Sequence, residues 1–177
     1  LIEADPRNRE CLFPYLNGQD LNAQPDHHST RWAINFFDWP LERAEKYPDL
    51  IQIVREKVKP ERDKLKRERR RERWWIYGEN TPGLYRAIKL LRRVLLRARV
   101  SEYHMLTFVP KSQVASEQVV VFAFDDYFHL ALLQSNLHEA WVWKNASSLE
   151  SRNRYTPTAC FETFPFPPAP SREARAD

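Results

Sequence analysis

The chain has 177 residues, 42% hydrophobic and 13% aromatic, which suffices for one aromatic-rich domain, or one with a small extension. Its three glycines leave no glycine-rich loop to cradle a phosphate or dinucleotide, no run approaches the ~18 apolar residues of a membrane span, and no signal peptide is visible. The formal charge of +4 is unevenly placed: Arg55–Trp75 holds eleven Lys/Arg against five Asp/Glu, a surplus of +6, so the rest of the chain sums to −2.

Residues 1–10 read as an entry loop. Cys11 to Gly18 predicts a short strand broken by Pro14 and closed by an Asn-Gly turn. A polar loop then spans 19–30, and Arg31 to Phe37 predicts an aromatic strand. Asp38 and Pro40 open a helix with Leu41 and Ala44 inward. Pro48 opens another, with Leu50, Ile51, Val54 and Val58 at helical spacing. Pro60 breaks that helix and starts a basic one, Lys57 to Arg73 overall, polar nearly all round and anchored by Trp74 and Trp75. Asp63 with Arg67 and Lys64 with Glu68 could pair along it, but local pairing cannot absorb six surplus charges.

Thr81–Pro82 starts a helix carrying Leu84, Ala87, Ile88 and Leu91. The period then changes: 94–100, 103–109 and 119–124 predict three strands. A long helix runs from Asp125–Asp126 to about Lys144, its stripe being Leu130, Leu133, Leu137, Ala140 and Trp141. A polar loop, 146–156, leads to CFETFPFP. The order predicts an α+β fold: one domain over 1–167 with a twisted, mainly antiparallel or mixed sheet, packed helices and one protruding basic helix, then an extended or disordered tail, 168–177. The start at Leu1 and the proline-rich end read as a piece of a longer protein. Cys11 and Cys160, far apart and without CxxC spacing, fit a reducing cytoplasm.

No catalytic set assembles. His27–His28 lacks a third ligand at metal spacing. His138–Glu139 begins like HExxH, but Val142 stands where the second histidine belongs. Glu61 and Asp63 sit among cations that explain them as ion pairs. Ser147, Ser148 and Ser151 have no partner histidine in a recognised spacing. The concentrated charge instead points to a polyanion, above all nucleic acid. Lys59, Arg62, Lys66, Arg67, Arg69, Arg70, Arg71 and Arg73 are the candidate phosphate contacts. Lys144, Arg152, Asn153, Arg154 and Tyr155 cluster in the later loop. Arg and Asn are the side chains that read guanine and adenine edges by bidentate hydrogen bonds, so these five are the candidate base contacts.

Five blocks occur in order: FPYLNGQDLN, RWAINFFDWPLERAEKYP, VKPERDKLKRERRRERWW, LLQSNLHEAWV and RYTPTACFETFPFP. Together they span Phe13 to Pro167. They resemble the target-recognition region of large bacterial restriction–modification proteins of the MmeI-like, type IIG/IIL kind, and of related DNA adenine methyltransferases. The resemblance implies a module that reads duplex DNA. A separate methyltransferase domain of the same polypeptide would use S-adenosylmethionine to methylate an adenine amine, and some such proteins also carry a nuclease domain. It also implies base contacts around RNRYT, hence Arg152, Asn153 and Arg154. This chain has neither an NPPY-like methylation motif nor a cofactor loop, so the piece itself is expected to be non-catalytic, without cofactor or metal, and not bound to membranes. Two other classes fit the same residues: a docking module whose basic helix meets an acidic sister domain, and a general RNA- or single-strand-binding module that stacks bases on Trp and Tyr.

Overall fold

The computed structural model describes residues 1–24, 26–27, 29–78, 81–149 and 152–168. In chain order, a 3-10 turn at Pro6–Glu10 precedes β1 (Leu12–Leu16), α1 (Gly18–Ala23), β2 (Arg31–Ile34), α2 (Leu41–Ala44) and α3 (Pro48–Lys57). Next come α4 (Lys59–Asp63), α5 (Glu68–Glu72), α6 (Pro82–Ala87), β3 (Arg93–Ala98), β4 (Val100–Ser101), β5 (Thr107–Pro110), β6 (Val114–Ala115) and β7 (Val119–Phe122). The last are α7 (Tyr127–Leu133), α8 (Asn136–Asn145), β8 (Ser147–Leu149), β9 (Arg152–Arg154) and α9 (Pro157–Cys160). The α+β class is as expected, with the strands divided among small antiparallel sets. Among the described residues no helix is long and apolar enough to cross a membrane.

The chain divides into two compact units, Leu1–Tyr15 with Arg31–Lys89, and Leu16–Thr30 with the described residues from Leu90 on. In the first, β1 and β2 pair antiparallel, Leu12 facing Ile34 and Tyr15 facing Arg31. After β2, Asn35 Oδ1 accepts from the Phe37 amide at 2.9 Å and turns the chain. Phe37 takes a left-handed φ of 51°, a conformation costing a non-glycine residue on the order of 1–3 kcal/mol. Edge contacts with Phe13 (5.5 Å) and Tyr85 (5.1 Å) hold it there. Leu50, Ile51 and Val54 line the inner face of α3 and pack with Cys11, Phe36, Ala44, Tyr47, Trp74 and Ile76. Trp74 is buried, and Trp75 donates from Nε1 to the Trp39 carbonyl at 2.9 Å, so the tryptophan pair pins the basic segment as expected.

The basic segment is not one helix. Val58 ends α3 and begins α4, whose first turn holds Pro60, and the helical path breaks again between Asp63 and Glu68. Helices this short are marginal unless an apolar face packs, and between Pro60 and Trp74 only Leu65 is apolar. Asp63 pairs with Lys59 and Glu61 with Lys64, each at 2.7 Å.

In the second unit, the expected Asn-Gly turn and the start of the polar loop are instead α1. Asn17 is extended and caps the Asp20 amide at 2.9 Å, and the Asp20 carboxylate accepts from the Asn17 amide at 3.0 Å. That reciprocal box lets Gly18 begin a helix. The three strands expected after residue 93 form with trimmed ends: β3 is central and pairs antiparallel with β5 (Leu95 facing Phe108) and β7 (Leu95 facing Phe122). Leu95, Val120 and Phe122 pack with Leu133, Val142, Tyr155 and Cys160.

The long helix divides into α7 and α8. Gln134 ends α7 with helical dihedrals, and its side-chain amide bridges the loop before β5, Oε1 accepting from the Leu106 amide at 2.8 Å and Nε2 donating to the His104 carbonyl at 2.6 Å. Ser135 then caps α8. The restart rotates the inward face, so His138 and Val142 are buried while Leu137, at the expected core position, is 75% exposed. The loop expected at 146–156 contains the β8–β9 hairpin. Both cysteines are free and buried. Of the expected tail only Pro168 falls among the described residues.

Candidate nucleic-acid interface

The order β4-β9-β8 makes β9 the central strand of an antiparallel set, with Val100 facing Arg154 and Ser147 facing Arg154 on its other side. Strand alternation sets the roles of its side chains: Arg152 and Arg154 are exposed, and Asn153 between them is buried. The two arginines therefore share one face about 6.6 Å apart along the strand. Lys144 is exposed in the last turn of α8. Tyr155 is fully buried, its ring 5.8 Å from that of Phe122. Of the five expected base contacts, Lys144, Arg152 and Arg154 present side chains outward. Asn153 and Tyr155 face the protein interior, a correction that follows from period-two alternation and from the aromatic core beneath them.

A buried cation organises that interior. Arg97 lies on β3 and is 1% exposed. It donates from Nη2 to Asn153 Oδ1 at 2.8 Å and from Nε to the Ala98 carbonyl at 3.2 Å, and its guanidinium lies 4.4 Å over the Tyr155 ring. Its Nη1 faces His104 Nδ1 at 3.2 Å, while His104 Nε2 faces the Leu133 carbonyl at 2.7 Å. A carbonyl only accepts, so Nε2 carries the proton and Nδ1 accepts from Arg97. A second proton on His104 would oppose the guanidinium. Burial first, and then the Arg97 charge, hold its pKa below the ordinary value. Burial also lowers Arg97 to about 10 and His138 to about 4, and pushes the Tyr155 phenol up. Among the described residues no carboxylate forms an ion pair with Arg97. The cation is held by neutral acceptors and a π face. The sequence signal for it was an arginine inside the apolar run VLLRARV.

The basic segment lies in the other unit. Lys66, Arg67, Arg69 and Arg71 are exposed, and Lys59, Arg62, Arg70 and Arg73 are half-buried. Arg73 donates to the Asp38 carbonyl at 3.2 Å. Four of the expected phosphate contacts, Arg67, Arg69, Arg70 and Arg73, line one cavity of about 270 Å³ with Tyr77 and Gly78. Tyr77 and Gly78 were not among the candidates from sequence.

Several other acidic and histidine side chains have structural roles. Glu61 and Asp63 are engaged by lysines, as ion pairing predicted. His129 faces its capping residue Asp126 at 2.7 Å and stacks on Phe124 at 3.7 Å. His28 and Ser151 lie outside the described residues.

No curated protein sequence matches the chain. The structure is similar to that of the type IIL restriction-modification enzyme MmeI solved in complex with DNA, with 18% identity and a TM-score of 0.73. The match covers 99% of this chain and 23% of that one, so this chain spans about a quarter of that protein's length. A family model described as the target recognition domain of MmeI matches residues 1–168, the interval that holds β9 and the basic segment. The chain belongs to the MmeI target recognition domain family.

Proposed function

We propose that this chain is the duplex-DNA specificity module of a bacterial, cytoplasmic restriction–modification protein. The observation that carries the reading is the family match over nearly the whole chain. It is supported by the solved MmeI structure being a complex with DNA.

The geometry suggests how each unit would contribute. A major groove admits a β-ribbon, and arginine pairs bidentately with guanine O6 and N7. Arg152 and Arg154, two residues apart on one strand face, are spaced at about two base-pair rises, so they can address edges two steps apart. The buried Arg97–Asn153 contact beneath them holds the strand rigid for that purpose. The basic segment would meet phosphates, which supply affinity and position without sequence information.

In this reading the target adenine is flipped into a separate methyltransferase domain of the same polypeptide, because its amine cannot be reached inside the stack. S-adenosylmethionine would supply the methyl group there. The residues present here do not fit that cofactor. Gly18 and Gly83 lie inside short helices, and two arginine side chains cover Gly78, leaving no glycine-rich loop among the described residues.

The test is a binding selection by the full chain on a random-sequence duplex pool at low and moderate salt. An enriched short motif supports the specificity reading. Retention without any motif would reduce the role to phosphate binding, and no retention at either salt would overturn it.

A further inference from the structure

The loop that follows β4, residues 102–106, alternates its side chains. Tyr103 and Met105 are 72% and 41% exposed, while His104 and Leu106 are buried. The inward side is tied along its length. The Tyr103 amide donates to Ser101 Oγ at 3.3 Å. His104 accepts from Arg97 at Nδ1 and donates from Nε2 to the Leu133 carbonyl. The Gln134 side chain holds the His104 carbonyl at 2.6 Å and the Leu106 amide at 2.8 Å. Leu106 packs with Leu95, Val120 and Phe122. A short loop fixed at these points presents its outward ring before any partner arrives, so little ordering remains to be done on binding.

Lone exposed aromatics are ordinary on a protein surface. Tyr103 differs in its address. Ser101, the last residue of β4, faces Asn153. The pairing is antiparallel, so the chain leaves β4 beside the Arg152 end of β9. Tyr103 comes two residues later, at most ~7 Å of backbone further on. The ring therefore stands next to the strand that carries Arg152 and Arg154. Glu102, before it, is also exposed, and a carboxylate there opposes a seat on phosphates. Among base edges the same carboxylate can accept from a cytosine amine. The charges around the ring thus favour bases over backbone as its target.

We propose that Tyr103 is a wedge that enters the bound duplex at one base step, beside the base pairs addressed from the Arg152 end of β9, and unstacks it. The proposal rests on the duplex-reading function above and adds to it a step that opens the helix. A flat ring stacks on any base, and its hydroxyl tip stays at a polar edge. Apolar side chains inserted between base pairs loosen the duplex locally, which lowers the cost of turning a nearby base out of the stack. The ties at His104 and Leu106 keep the loop from yielding when the ring meets the stacked pairs.

The experiment uses the full chain and a duplex enriched by the selection above, with the fluorescent base 2-aminopurine placed at each position in turn. At saturating protein, fluorescence should rise at least threefold at one step beside the motif. The rise should persist with Tyr103→Phe, which keeps the ring, and vanish with Tyr103→Ala. Tyr103→Ala should also lose at least tenfold in affinity for the intact duplex. Most of that loss should return on a duplex with an abasic gap at the same step, where unstacking is already done. A bound duplex in which no position brightens would sink the wedge and leave the specificity reading standing. Brightening that survives Tyr103→Ala, or an alanine loss undiminished by the gap, would do the same. Tighter binding to the single strand than to the duplex would make the ring a single-strand stacking platform and overturn the wedge. If no duplex is retained at either salt, the wedge falls together with the specificity reading.

Discussion

Arg97 donates from Nη2 to Asn153 Oδ1 across 2.8 Å, joining a strand of the main β-sheet of the second unit to the centre of the β8–β9 hairpin, 56 residues later. Asn153 Nδ2 is buried with no hydrogen-bond partner among the described residues, so the amide is placed there for its oxygen. Asn153→Ala should cost about 1.5–3 kcal/mol of stability, the range for a hydrogen bond to a charged group. Asn153→Asp should cost less, because a carboxylate keeps the acceptor, removes the unmatched donor and faces a cation. Denaturant melts of the two variants check this, and an alanine variant as stable as the parent would refute the account.

The buried histidines make stability depend on pH in a defined direction. His138 is lowered from 6.5 to about 4, chiefly by burial and then by repulsion from His104, when that ring is protonated, and from Arg97. Between those values the unfolded chain binds the proton and the folded chain does not, so stability rises with pH. The contribution is fully present above about pH 6.5 and is lost as pH falls toward 4, on the order of 3 kcal/mol in all. His104 shifts the same way. Melts from pH 7 to 4.5 should show a steeper fall for the wild type than for His138→Phe, and parallel slopes would contradict this cause.

Arg152 and Arg154 should govern which duplex is bound. Either one replaced by Ala should cost roughly 1–3 kcal/mol on the selected motif, with little change on unrelated sequences. Fluorescence anisotropy on both duplexes separates the two effects. Equal losses on both would reassign these arginines to phosphates.

Arg69 and Arg71 should behave in the opposite way. Alanine at either site should weaken all duplexes about equally and reduce the slope of log affinity against log salt by roughly 0.9 for each phosphate left without its cation. An unchanged slope in both variants would move the DNA surface away from α5.

The particular elements show how far a linear reading reaches. The trio of strands after residue 93 was legible because a run of β-branched and aromatic residues has a period of its own. The helix from Pro48 was legible for the same kind of reason. The division of α7 from α8 was not, because Leu130, Leu133 and Leu137 keep helical spacing across it. The break comes at the extended Ser135, just where the Gln134 side chain bonds backbone near residues 104–106, and nothing local announces those partners. The β8–β9 hairpin carries no strand signature in the sequence because its strands are polar and short, and β9 gains its order by pairing with β4, distant in sequence.

By itself the sequence determined the α+β class, the aromatic cores, the anchoring of the basic segment by Trp74 and Trp75, and the concentration of positive charge near α5. These follow from composition and period, which any window of the chain displays. Only the tertiary structure decided that Arg152 and Arg154 face outward while Asn153 and Tyr155 face inward, and that Arg62 and Arg70 meet over Gly78. The reason is that alternation specifies two faces without naming the buried one. That choice belongs to partners such as Arg97, which come near only when distant segments pack.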